Sequence, residues 1–129
     1  KKGERGVRKS GEVLEPNKSC KAPEKSRCYV YAADTAFTPK VVEAAKGATL
    51  LYHEATFMEE EKEIARKTMH STASDAGRVA LEADVGGFMI GHFSNRYRDL
   101  GGLHMEAVKV FKKTVLAVEG KTILIGLIS

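Results

Sequence analysis

The sequence predicts an α/β domain built on a parallel sheet. From residue 28 onward, short β-rich runs alternate with helical ones, the order that crossover connections produce. Start and stop signals also fall at the joins. "TPKVVEAAKG" offers Thr38 as N-cap, Pro39 at the first helical position and Gly47 as the stop.

The elements follow in order. "RCYVYAAD" reads as a buried strand ending at Asp34, and "ATLLYHEA" as the next strand after the first helix. "MEEEKEIARKTM" is a charged surface helix whose acidic residues crowd its N-terminus, where the helix dipole favours them. "STASDAGRVALEAD" is a second helix, capped by Ser71 or Thr72. "GGFMIGHFS" is a strand, "GLHMEAVKVFKK" a helix, and "TVLAV" and "TILIGLI" are two strands around an "EGK" turn. No internal repeat and no domain boundary interrupts this series.

Composition narrows the class. With 129 residues, 43% hydrophobic and 29% charged, the chain has the length and balance of one globular domain. Its longest apolar run, "TILIGLI", is far short of the roughly 20 residues that cross a bilayer, and a cytoplasmic, soluble protein is expected. Cys20 and Cys28 lack CxxC spacing and read as plain thiols. The formal charge of +4 is uneven, because residues 1–27 hold nine Lys or Arg against four acidic residues. That segment reads as a basic loop or connector, or a weak hairpin, and such a segment can attract nucleic acid.

The polar residues converge on one edge. Asp34 ends the first strand, His53 and Glu54 the second, and His92 the third. Ligands of open α/β sheets bind beyond the carboxyl ends of the strands. His70, in "MHSTASDAG", joins them because a crossover helix begins near the edge where the previous strand ended. Taken singly, each has a bland alternative: a strand-end Asp caps turns, a strand His is often a satisfied core residue, and Glu54 could cap its turn.

Imidazole nitrogen and carboxylate oxygen together suit a zinc-type site that activates water and neutralises charge on a phosphoryl group. A helix N-terminus at Ser71–Thr72 offers N–H groups to a phosphate. His70, oriented by a carboxylate such as Glu54, makes a credible proton donor to a leaving oxygen. Arg96 in "FSNRYRD" could clamp a phosphate, whereas Arg98 suits a solvated loop position.

"AADTAF", "LLYHEATF", "MHSTASDAG" and "GHFSNRY", in this order and spacing, resemble the C-terminal half of the ribonuclease Z family, tRNA 3′-processing endoribonucleases of the metallo-β-lactamase superfamily. The resemblance covers about residues 28 to 122. It implies the C-terminal half of an αββα sandwich, with residues 1–27 as a connector following an N-terminal half. It implies Asp34 and His92 as ligands in a two-zinc centre, His70 acting at the scissile phosphate or leaving group, and Glu54 positioning it. Arg96 would support the substrate phosphate and site geometry, together with Ser71 and Thr72, while His53 is structural and His104 has no assigned role. Precursor tRNA is the implied substrate and a homodimer the implied assembly.

The family's H-x-H-x-D-H motif has no counterpart here, so the N-terminal half would be needed to complete the site. A half sandwich should also expose an apolar sheet face. Two other functions remain open on the residues alone: a non-catalytic RNA-binding or dimerising fragment, and a phosphodiesterase of the same fold acting on small phosphodiesters.

Overall fold

A computed structural model describes residues 6–7, 13–14 and 26–126. Strand β1 (Gly6–Val7) pairs antiparallel with β2 (Val13–Leu14). The remainder of the basic N-terminal segment up to residue 25, including Cys20, lies outside the described residues, as do residues 127–129 of the expected last strand.

The body of the protein is a four-stranded parallel sheet in the order β3 (Tyr29–Ala32), β4 (Leu50–Glu54), β5 (Phe88–Gly91), β6 (Thr114–Leu116). Helix α1 (Pro39–Ala45) connects β3 to β4, and α3 (Ala73–Ala83) connects β4 to β5. Helix α4 (Gly101–Val110) connects β5 to β6. Each strand pairs with its successor in sequence, so a right-handed sense for every crossover stacks all three helices on one face. They do form one layer: α1 packs on α3, α3 on α4, and each touches the sheet.

The register sorts the strand residues. Val30, Leu51 and Phe88 share one row and Ala32, His53 and Ile90 the next, all on the helix side. Leu51, Phe88 and Ile90 are fully buried with Val79 of α3 and Leu103 of α4. Burial of each such side chain contributes roughly 1.5–3 kcal/mol. Helices α3 and α4 approach closely at Gly77, where an added Cβ would stand 2.9 Å from Val110 Cβ and 3.2 Å from the Ala107 carbonyl oxygen.

The opposite face carries Tyr29, Tyr31, Tyr52 and Met89, and among the described residues no helix covers it. Tyr31 is 63% exposed and stacks on Tyr52 at 4.6 Å between ring centroids. This is the apolar face expected of a half sandwich. Lys121, Ile123 and Ile125 cross it and help to enclose a cavity of about 390 Å³ with the tyrosines.

Several boundaries differ from those expected. β3 stops at Ala32 and β5 at Gly91, because Asp34 (φ 54°) and His92 (φ 59°) adopt left-handed backbone that no strand can continue. The acidic helix divides into a 3₁₀ turn (Glu59–Glu61) and α2 (Lys62–Lys67), broken at Glu61 (φ −105°, ψ 24°). "TILIGLI" is not a strand over its described part, residues 122–126. It lies across the tyrosine face rather than extending the sheet beside β6. The cap of α3 is Thr72, in a capping box with Asp75.

Candidate active site

Four strand-end segments bring the predicted polar residues together. Glu54 is the last residue of β4 and is fully buried. A lone buried carboxylate would be very unfavourable, and here four donors surround it. Oε1 accepts from the Thr35 backbone N–H. Oε2 accepts from Thr56 Oγ1 at 2.6 Å and from the Ser71 N–H at 3.0 Å. His70 Nδ1 lies 3.0 Å from both oxygens. Its partner is acceptor-only, so Nδ1 carries the proton and Nε2 is left for chemistry.

The same logic fixes His92. Thr56 spends its hydroxyl proton on Glu54, so its oxygen accepts from His92 Nδ1, 3.0 Å away. That leaves the His92 Nε2 lone pair free. The imidazoles of His70 and His92 lie 5.3 Å apart between centroids, and Asp34 Oδ1 is 3.6 Å from His70 Nδ1. The Asp34 side chain is 79% exposed. Both Asp34 and His92 stand on left-handed backbone, each aimed by a sharp turn at its strand end.

Glu54, His70 and His92 each bring a ligand atom within 4.8 Å of the others. The Glu54 oxygens are already taken by four donors, so Glu54 is better suited to orienting the two histidines than to binding an ion. Asp34 and His92 Nε2 are then the open donor atoms, a carboxylate and an imidazole of the kind that zinc accepts, and His70 Nε2 is left open for proton transfer.

Ser71 and Thr72 are both fully buried. Ser71 Oγ donates to the Thr35 carbonyl at 2.7 Å, and Thr72 Oγ1 donates to Glu59 Oε2 at 2.8 Å. The first N–H groups of α3 are used internally as well: Ala73 N–H donates to the Phe57 carbonyl and Asp75 N–H to Thr72 Oγ1. The HST segment is thus tied to the loops after β3 and β4.

Arg96 stands apart from Glu54. Its Nη1 is 3.4 Å from Glu61 Oε1, and its guanidinium lies 5.1 Å from the centre of the Phe57 ring. His53 faces the core, donating from Nδ1 to the Glu54 carbonyl at 2.7 Å while Nε2 is buried with no partner among the described residues. Burial pushes the His53 imidazole below its ordinary range, with the Glu54 carbonyl and carboxylate opposing. His104 Nε2 donates to the Thr114 carbonyl at 2.9 Å, joining α4 to β6.

Thr56, Thr35 and Phe57 are site residues that the sequence reading did not assign. Thr56 and Phe57 stood in the quoted "HEATF" stretch, where a hydroxyl two residues after a carboxylate was the available signal. Thr35 contributes a backbone N–H, which carries no sequence signal.

Comparison with known proteins adds an independent line. Ribonuclease Z of Bacteroides fragilis is 45% identical over 119 residues, which span 92% of this chain and 39% of that protein. The chain is homologous to a portion of ribonuclease Z. Ribonuclease Z of Porphyromonas gingivalis is 47% identical over 105 residues, 81% of this chain and 34% of that relative. The chain therefore spans well under half the length of the ribonuclease Z sequences it matches.

Among solved structures, the metallo-β-lactamase fold protein YhfI from Bacillus subtilis superposes with a TM-score of 0.65 at 27% identity, covering 70% of this chain and 37% of that one. A long form RNase Z from yeast gives a TM-score of 0.60 at 27% identity, covering 69% of this chain and 12% of that one. No family model matches the sequence. The one-sided parallel layer is thus part of a metallo-β-lactamase fold. Among the described residues no helix is long and apolar enough to cross a membrane.

Proposed function

We propose that this chain carries one side of the active site of a zinc-dependent, cytoplasmic endoribonuclease of ribonuclease Z type, which removes 3′ trailers from precursor tRNA. The Glu54–His70 pair is the observation that supports it most directly. A buried carboxylate receives Nδ1–H and orients the ring, so that the imidazolium form, which also carries a proton on Nε2, can pass that proton to a departing 3′ oxygen and return to the neutral Nδ1–H imidazole. Without that proton the oxygen would leave as an alkoxide.

Asp34 and His92 are the residues that would hold zinc, Asp34 through its exposed carboxylate and His92 through Nε2. Bound zinc supplies Lewis-acid activation of water and neutralises charge at the phosphoryl group. Thr56 keeps His92 in the tautomer that offers Nε2, while Ser71 and Thr72 hold the HST segment in register with Glu54. Arg96 would meet a phosphate. A catalytic zinc takes about three protein ligands. Two zinc ions therefore call for ligands from the N-terminal half of the same fold, and a homodimer belongs to the same reading.

The test joins this chain to the remaining portion of the Bacteroides fragilis relative and follows cleavage of a precursor tRNA bearing a 3′ trailer. Cleavage by the pair and not by either part, with a loss of about 10²–10⁴-fold in His70→Ala, is the expected result. A zinc-loaded pair that leaves precursor tRNA intact would favour a non-catalytic module, and cleavage of a chromogenic phosphodiester alone a small-substrate hydrolase.

A further inference from the structure

Arg96 is 43% exposed and sits on the loop after β5, a setting in which an arginine side chain ordinarily samples many rotamers. Two side chains from the segment after β4 constrain it. The Phe57 ring lies 5.1 Å from the guanidinium carbon, within the roughly 6 Å reach of a cation–π contact, and Glu61 meets Nη1 from another side.

Phe57 is itself a fixed platform. It is only 6% exposed, its N–H reaches the Ser71 carbonyl, and its carbonyl accepts from Ala73 N–H at 2.9 Å. The same ring makes an edge contact with the His70 imidazole, 6.2 Å between centroids at 61°. One buried aromatic ring therefore contacts both the imidazole and the guanidinium.

We infer that Phe57 and Glu61 are positioning residues for Arg96, holding its guanidinium against the ring that also contacts His70, so that one phosphate group can reach both. The inference rests on the reading of Arg96 as a phosphate clamp. An arginine has five N–H donors, and Glu61 approaches one end of the fork, leaving the others for a phosphate oxygen. Holding the fork in place beforehand lowers the ordering cost of binding.

The experiment is NMR of the 129-residue chain titrated with inorganic phosphate, comparing it with Phe57→Leu and Glu61→Ala. Phe57→Leu keeps apolar bulk and removes the ring. Glu61→Ala is a surface change that leaves the fold intact even if Phe57→Leu does not. In the parent chain, Arg96 side-chain protons should show the upfield displacement of groups above an aromatic face, and phosphate should move Arg96 and His70 signals with one midpoint. Phe57→Leu should erase the upfield displacement and Glu61→Ala reduce it, and both should raise that midpoint by about 2–5-fold, the range expected of partly exposed contacts. For Glu61→Ala this is opposite to the tightening that loss of a negative charge alone produces.

Arg96 signals of a freely solvated arginine in the parent, or variants that bind phosphate as well as the parent or better, would overturn the positioning role and leave the clamp reading intact. Phosphate that moves neither Arg96 nor His70, with the upfield displacement present, would overturn the clamp reading and the inference with it.

Discussion

His70 Nδ1 lies 3.0 Å from both carboxylate oxygens of Glu54. One carboxylate thus aligns the imidazole while accepting from Thr35, Thr56 and Ser71, joining the loops after β3 and β4 to the start of α3.

Glu54→Gln should be costly out of proportion to its size. A glutamine must point its NH₂ at one set of these donors, so at least one N–H or O–H loses its acceptor in a fully buried site. The expected loss is about 3 kcal/mol of unfolding free energy, read from urea titration. An unchanged midpoint would mean that the buried carboxylate does not hold the loops together.

Thr56→Val keeps the shape of the side chain and removes the hydroxyl that stands between Glu54 and His92. Loss of such an outer partner typically lowers metal affinity about 10–100-fold. A zinc titration of the assembled two-part protein should show that drop. Equal affinity would place the metal elsewhere than on His92.

Acid should destabilise the fold through His53. Burial holds its pKa below the ordinary value of 6.5, so as pH falls the unfolded chain takes up this proton before the folded one does. Stability is then unaffected above about pH 6.5 and falls below it, by up to about 1.4 kcal/mol per pH unit, until the folded pKa is reached. Urea midpoints at pH 7.5 and 5.5 should differ less in His53→Gln than in the parent chain; identical differences would assign the acid sensitivity to other groups.

Gly77→Ala probes the contact of α3 with α4. The new methyl would press on Val110 Cβ, fixed directly to the helix backbone, and on the Ala107 backbone carbonyl, neither of which can swing aside. A loss of about 1–3 kcal/mol is expected by thermal denaturation, against the small gain that alanine brings to an open helix position. A more stable variant would show that the helices separate readily.

Much of this was legible in the sequence because local signals agreed. Thr38, Pro39 and Gly47 bound α1 as their chemistry dictates, and the strand ends carried Asp34, Glu54 and His92 to one edge. "TILIGLI" misled because a β-rich apolar run has the same pattern whether it joins a sheet or lies across one; its described part covers tyrosines instead. The hydrogen bonds to Glu54 were illegible for a different reason. Two come from backbone N–H groups, of Thr35 and Ser71, which every residue but proline possesses. Arg96 was chosen from its motif, yet its neighbours Phe57 and Glu61 become visible only when the chain folds back on itself.

The sheet also serves as a ruler. Thr56 and His92 are 36 residues apart along the chain, yet they meet because β4 and β5, whose ends carry them, are neighbours one fixed step of about 4.8 Å apart. The lengths of the crossovers do not enter that step. Evolution can therefore lengthen or shorten the helices without changing the spacing of Thr56 and His92. A single residue inserted within β4 or β5, by contrast, would turn Glu54 or His92 to the wrong side of the sheet.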